Sequence, residues 1–293
     1  MIAIVGSVNR DLVMICDALP LPGETVLASG HFESPGGKGA NQAVAAARLG
    51  AQVALVGRIG DDDAGRMLVE AFEEDGVDVS LIAVTGSAPT GLAVITVDRA
   101  GENTIVGSPG ANLLVDSADI ADAGSLLRAA SVTLLQLEIP LPTVTDAANA
   151  AGGTVMLNAA PARPLPDELL DAVDVLVVNR SELEILAGDS DPAAATRLPV
   201  PTTVVTMGAE GAAVVSGDVV AVFPAPEVDV VDTTGAGDAF CGALAAAFAV
   251  GMEMSDAVSR AVVAGALATT AFGARSAMPM AEELEATLGT LGS

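Results

Sequence analysis

Five apolar, β-branched runs recur along the chain with helical patterns between them, and no other feature constrains the fold as much. They are Val53–Gly57, Val132–Gln136, Val155–Leu157, Val175–Val178 and Thr203–Thr206, the first preceded by a helical pattern over 38–49. A continuous apolar run has no face to spare for water, so each strand must be covered on both sides. Helices of about 10–15 residues between such strands predict βαβ units and a parallel sheet. Two stretches differ in texture. Leu12–Cys16, Thr25–Leu27, Gly91–Asp98 and Thr104–Val106 read as hairpin strands among Gly and Pro turns, with a hairpin tip at Asp98–Glu102. They predict a small β-sheet, formed by segments 12–35 and 91–107, projecting as a lid. The stretch 236–288 is mainly helical. No repeat or low-complexity linker interrupts the chain, so 1–293 is expected to be one domain.

Charge narrows the range of partners. The net charge of −26 comes from 38 acidic residues against only 12 basic ones, and Lys38 is the sole lysine. No basic patch can form, which disfavours nucleic acid as a partner. An anionic ligand must therefore be held by backbone amides, a metal ion or the few bases present. The alanine-rich helices near 239–250 and 257–272 are interrupted by Gly, Met, Asp or Arg, so no membrane span is expected. Met1 leads directly into the apolar strand Ile2–Val5 with no signal-peptide pattern. Cys16 and Cys241 have no framework spacing, which fits a reducing cytoplasm and argues against zinc.

Polar residues fall where the predicted strands end, on the rim where open parallel sheets bind ligands. They are Asn9 and Asp11, Glu138, Asn158, Asn179 and Glu182, and Thr206 and Gly208. Singly each is an ordinary cap or turn residue; their convergence on one rim is the informative point. In Gly36-Gly37-Lys38-Gly39-Ala40-Asn41-Gln42 the glycines allow close backbone approach, and Lys38 and Asn41 add a charge and an amide. It is not a Walker A loop, whose glycine spacing is missing. Asn9 and Asp11 alternate onto one side of an extended segment, a suitable pair for the hydroxyls of a polyol. In Asp232-Thr-Thr-Gly-Ala-Gly-Asp238, Gly235, Ala236 and Gly237 leave amides uncovered at a helix start, a ready anion site. A carboxylate is not needed to hold an anion, so Asp238 reads as a base that takes a proton from an attacking hydroxyl. The same helix N-terminus leads us to expect Asp238 ionised near neutral pH. A cradle with a base beside it reads as phosphoryl transfer; a capped helix after a Gly-rich turn is the plainer alternative.

The Gly36–Gln42 and Asp232–Asp238 signatures and the Asn9/Asp11 pair resemble those of the ribokinase family, among the PfkB sugar and nucleoside kinases, in order and over nearly the full length. The resemblance implies a ribokinase-like three-layer α/β/α fold with a mainly parallel central sheet and a small β-sheet lid. It implies ATP-dependent transfer of the γ-phosphoryl group to the 5-hydroxyl of D-ribose. Asp238 would be the base, with Gly235, Ala236 and Gly237 in the anion hole. Asn9, Asp11, Gly37, Lys38, Asn41 and Glu138 would hold the sugar. Asn179, Thr206, Gly208, Ala209, Glu210, Gly211, Gly237 and Val262 would line the nucleotide site, and Glu182 would organise Mg²⁺ through water. A K⁺ ion would sit by Asp232, Thr234, Ala268, Ala271, Gly273 and Ala277; relatives carry serine at this last position, and here Ser276 is adjacent. The family also implies a cytoplasmic homodimer joined through the lid. Two alternatives stay open: a kinase for another sugar or a nucleoside, and a non-catalytic sugar-binding regulator on the same fold. The lack of Trp and Tyr, with only six Phe, leans away from stacking a nucleobase.

Overall fold

A computed structural model of the chain describes residues 1–99 and 102–291. The first half runs β1 (Ile2–Val5), β2 (Asn9–Ile15), β3 (Gly30–Gly36), α1 (Lys38–Arg48), β4 (Val53–Gly60), α2 (Asp63–Glu74), β5 (Val77–Thr85), β6 (Gly91–Val97) and β7 (Asn103–Ser108). Then come α3 (Ser117–Asp122), α4 (Gly124–Ala129), β8 (Val132–Leu135), α5 (Leu141–Ala150), β9 (Thr154–Asn158), α6 (Asp167–Asp171), β10 (Val175–Asn179), α7 (Arg180–Ala187) and β11 (Thr202–Thr206). The chain ends with the hairpin β12 (Ala212–Ser216) and β13 (Val219–Phe223), followed by α8 (Ala236–Ala249), α9 (Met254–Leu267) and α10 (Ala281–Leu291).

The large sheet has the order β13-β12-β11-β10-β9-β8-β1-β4-β5. Every pair from β5 to β11 is parallel, and only β12 and β13 run antiparallel at the edge. Alternating side chains of each strand feed two cores. Ile2, Ile4, Leu134 and Val177 pack with α1, α8 and α9, whereas Ala3, Val5, Leu135 and Val178 pack with α3, α4, α5 and α7. The three-layer α/β/α architecture follows from strands that have no polar face.

The second sheet has the order β3-β2-β6-β7, with β2 and β6 parallel and the outer pairs antiparallel. It differs from the sequence reading in three ways. Thr25–Leu27 is not a strand: Pro22 and Gly23 turn the chain just before it and Leu27 stands in solvent, so it has no partner ladder. Gly30–Gly36 pairs with β2 instead. Asn9 and Asp11 lie within β2, so the lid segment begins at the end of β1 rather than at 12. β5, β12 and β13 have no counterpart among the apolar runs read from the sequence, because polar residues interrupt β5 and β13 is largely exposed. Of the expected tip at Asp98–Glu102, residues 100 and 101 lie outside the described residues; Asp98 N donates to Glu102 O at 3.0 Å. Among the described residues no helix is long and apolar enough to cross a membrane.

Candidate active site

The site is built where α1 and α8 meet beyond the carboxyl end of β1. The two helices approach closely because Gly242 faces α1: a Cβ there would lie 2.5 Å from Ala45 Cβ and 2.8 Å from Gln42 O. α8 begins at Gly235, which has a left-handed φ of 79° and presses against Ala274, 2.7 Å from where a Cβ would stand. Only glycine meets both demands. In that turn Ala236 N donates to Thr233 O at 3.3 Å, and the next amides of α8 follow; a Cβ on Gly237 would meet nothing within 4 Å, so this face is open.

Asp238 is the third residue of that helix and is buried, at 7% exposure. Its Oδ2 accepts from Asn41 Nδ2 at 3.0 Å and its Oδ1 from Gln42 Nε2 at 2.9 Å. Lys38 sits at the start of α1, and its backbone N–H donates to Glu138 Oε2 at 3.0 Å. Burial works against the Lys38 charge but is outweighed by Asp238, Glu138 and Glu182, so its pKa is raised and the ammonium persists. Burial also raises the pKa of Asp238, against the pull of Lys38 and the two amides. This works against the helix N-terminus, which favours the charged form. A dipole is worth about 0.3–1 kcal/mol at an exposed site, which is less than the cost of withdrawing a carboxylate from water.

Asp11 is pushed up to about 7 by burial, with Glu138 and Asp238 adding to the effect, and its Oδ1 is buried without a partner. Asn9 Oδ1 accepts from Asn112 Nδ2 at 2.7 Å, and Asn112 also bonds both backbone groups of Val8. Gly37 packs with its α-carbon against the backbone of Ser7 and Asn9. Asn9, Asp11, Gly37, Lys38, Asn41 and Glu138 therefore gather around one side of the Asp238 carboxylate.

Two cavities meet at Thr206, Thr233 and Gly237, the smaller of them reaching Lys38 and Asp238. The smaller, about 250 Å³, is polar and is lined by Lys38, Asn158, Asn179, Glu182 and Asp238. Asn179 caps α7 in a reciprocal capping box with Glu182. Burial raises the Glu182 pKa even though Asn179 N and Lys38 favour its charge. The larger, about 890 Å³, is elongated along β11 and the helices α8 and α9, with Thr206, Gly208, Ala209, Gly211, Ala236 and Val262 in its walls. Glu210 lines neither cavity; its carboxylate pairs with Arg180 at the surface.

The expected cation ligands lie behind the start of α8, in two loops joined by Asp232. Its Oδ1 accepts from Thr234 N and Oγ1 at 2.9 and 2.6 Å, and its Oδ2 from Gly273 N at 2.9 Å. Burial opposes the Asp232 charge, but these bonds outweigh it and lower the pKa. Ala277 is buried and its N–H donates to Gly273 O, while the Ser276 hydroxyl turns away to Phe272 O. Ala268 and Ala271 belong to the same loop region, and none of these six residues lines either cavity. Among the described residues no group of three or more His, Cys, Asp or Glu could hold a metal.

Sequence reading passed over Gln42, Gln136, Asn112, Glu227 and Asp229. Gln42 had a signal: it forms, with Asn41, a polar pair inside an otherwise alanine-rich helix. Glu227 and Asp229 line the larger cavity and precede the Asp232 signature by only a few residues.

The sequence and fold are shared with known proteins. The model of the pfkB family of carbohydrate kinases matches residues 1–281. The ribokinase of Bacillus subtilis is 37% identical over 287 residues, covering 97% of this chain and 98% of the relative. A bifunctional ribokinase/ribose-5-phosphate isomerase A of Fructilactobacillus sanfranciscensis is 35% identical over 97% of this chain, which spans only 55% of that longer protein. Among solved structures, Arabidopsis thaliana ribokinase complexed with ribose and ATP superposes with a TM-score of 0.89 at 33% identity, covering 98% of each chain. Such agreement over the whole length defines the class, an ATP-dependent carbohydrate kinase. The chain belongs to the pfkB family of carbohydrate kinases.

Proposed function

We propose that this carbohydrate kinase is a ribokinase, moving the γ-phosphoryl group of ATP to the 5-hydroxyl of D-ribose. The observation that carries the reading is the position of Asp238. Its carboxylate is held by two amides between a cluster suited to hydroxyls and the open amide face of Gly237, where a nucleotide-sized cavity ends. The sugar would lie against Asn9, Asp11, Gly37, Lys38, Asn41 and Glu138. Three carboxylates around one lysine favour a neutral polyol that donates hydrogen bonds over a sugar already phosphorylated. No aromatic ring stands among these six residues to stack a nucleobase, which weighs against a nucleoside acceptor.

ATP would occupy the larger cavity, with Thr206, Gly208, Ala209, Gly211 and Val262 along its adenosine and Asn179 near the phosphates; Glu210 would act at most by bracing that wall through Arg180. Asp238 accepts the proton of the attacking hydroxyl. The amides of Gly237 and Asp238, with that of Ala236 once it leaves Thr233 O (3.3 Å), would take the charge that builds on the transferring phosphoryl oxygens. The first two are fixed before reaction and need no reorganisation. The Glu182 carboxylate, facing the polar pocket, suits a hydrated Mg²⁺. Asp232 and the carbonyl oxygens of Thr234, Ala268, Ala271, Gly273 and Ala277 are hard donors that suit K⁺, with Ala277 able to offer only its backbone. Such a cation, when bound, adds positive charge behind the anion hole.

Exposed Ile15, Phe32, Ile105 and Val106 on the small sheet would be covered by a second copy, giving a homodimer. A monomeric mass by light scattering across micromolar concentrations would count against it. A cytoplasmic location fits two free thiols. The reading is tested by ATP consumption over D-ribose, 2-deoxyribose, fructose and nucleosides, with and without K⁺. Preference for ribose, raised by K⁺, is expected; no turnover on any acceptor would favour the sugar-binding regulator.

A further inference from the structure

Beneath the Asp238 carboxylate lies a pair of glutamines. Gln42 is fully buried in α1, and its Nε2 uses both protons, one to Asp238 Oδ1 at 2.9 Å and one to Asn158 Oδ1 at 3.1 Å. Its Oε1 accepts from Gln136 Nε2 at 2.6 Å. Gln136 follows β8, is also fully buried, and leaves its own Oε1 without a partner. A buried, unsatisfied amide is costly and rarely kept without a use. Gln136 has neither a bond to Asp238 nor a place in the lining of either cavity.

An amide can turn over, exchanging its oxygen and nitrogen. If Gln42 turned, its oxygen would face the Asp238 carboxylate, an arrangement that suits only the protonated acid. In the same movement its Nε2 would meet the Nε2 of Gln136, donor against donor. The turned Gln42 oxygen would also meet Asn158 Oδ1, so Gln136, as long as its own nitrogen faces Gln42, acts with Asn158 to penalise the orientation that would favour a neutral Asp238.

We propose that Gln136 is a positioning residue that acts through Gln42, locking its amide so that it donates to Asp238 and keeps the base ionised. The relay offsets a hostile setting. Asp238 is buried and has Glu138 after β8, Asp11 on β2, Glu182 on α7 and the thiol of Cys241 on its own helix as electrostatic neighbours, with Lys38 on α1 as the one cation among them. Two neutral amides supply hydrogen bonds that favour the anion without adding charge that would compete with Lys38 or the phosphates.

This inference rests on Asp238 being the base, which Asp238→Asn tests separately. The test of the relay is the pH profile of kcat/KM for ribose in Gln136→Met, Gln42→Met and the double variant, with thermal melts to establish folding. Gln136→Met should move the acidic limb upward by about 0.5–1 pH unit, leaving activity at high pH and KM for ATP near wild type. The double variant should shift no further than Gln42→Met alone, since Gln136 acts only through Gln42. An unmoved limb in Gln136→Met, or additive shifts in the double variant, overturns the proposal. Wild-type protein gives a reading that needs no substitution: the side-chain ¹⁵N–¹H signals of Gln136 should move as Asp238 titrates. A Gln136 amide that ignores that titration also overturns it. If instead Asp238→Asn retains turnover, it is the assignment of the base that fails.

Discussion

At the scale of single residues, the charged and glycine positions of the site were legible because each has few other uses. The sole lysine, a carboxylate behind a glycine pair and glycines ahead of a helix all pointed to one place, and the structure brings Lys38, Asn41, Glu138 and Asp238 together there. The amides Gln42 and Gln136 were not legible, since a neutral polar residue in a helix or at a strand end has many ordinary roles. Burial was the part that sequence hid: the dipole of α8 can be read from it, whereas the depth that raises the Asp238 pKa cannot. Asp11 carries the same lesson into a stability prediction. Its folded pKa of about 7 exceeds the ordinary aspartate value of 3.8, so between these values the folded protein holds a proton that the unfolded chain releases. Stability contributed by this residue therefore falls as pH rises from about 4 and is fully lost above about 7. Asp11→Asn should raise the melting temperature of the ligand-free protein at pH 8, by about 2–4 °C for each kcal/mol relieved, and leave it unchanged at pH 4. An equal gain at both pH values would show that the effect is packing rather than charge.

At the scale of elements, five strands with uninterrupted apolar runs were read correctly because burial on both faces leaves no freedom in their composition, whereas β12, as apolar and as buried, was missed. β5 and β13 escaped because each has an exposed side or edge, and Thr25–Leu27 misled because β-branched residues without a pairing partner do not make a strand. What sequence does not show is how elements meet. α1 brings Asn41 and Gln42, α8 brings Asp238, and Gly242 sets their separation. Gly242→Val should force the helices apart, costing about 1–3 kcal/mol as overpacking does and lowering kcat more than KM for ATP. Melting curves with steady-state kinetics check this; a variant of wild-type stability and turnover would mean that the helix contact does not set the geometry.

At the scale of the whole molecule, the order of motifs along the chain puts the proposed sugar side on the first half and the proposed anion hole on the second. The electrostatic consequence is less familiar. Among the described residues nine of the eleven arginines pair with carboxylates, and Glu227 and Asp229 line the cavity proposed for ATP. A protein of net charge −26 repels an incoming nucleotide. We expect kcat/KM for Mg-ATP to rise several-fold as choline chloride is added at fixed K⁺ and Mg²⁺, because salt screens repulsion. Glu227→Gln with Asp229→Asn should flatten that rise; a fall with salt would contradict the picture. The central claim, that Asp238 is the base of phosphoryl transfer between the two halves, is tested most directly by Asp238→Asn. Turnover of ribose with ATP should drop by about 10²–10⁴-fold while calorimetric ribose binding persists, and a variant that keeps near-normal kcat would contradict the account.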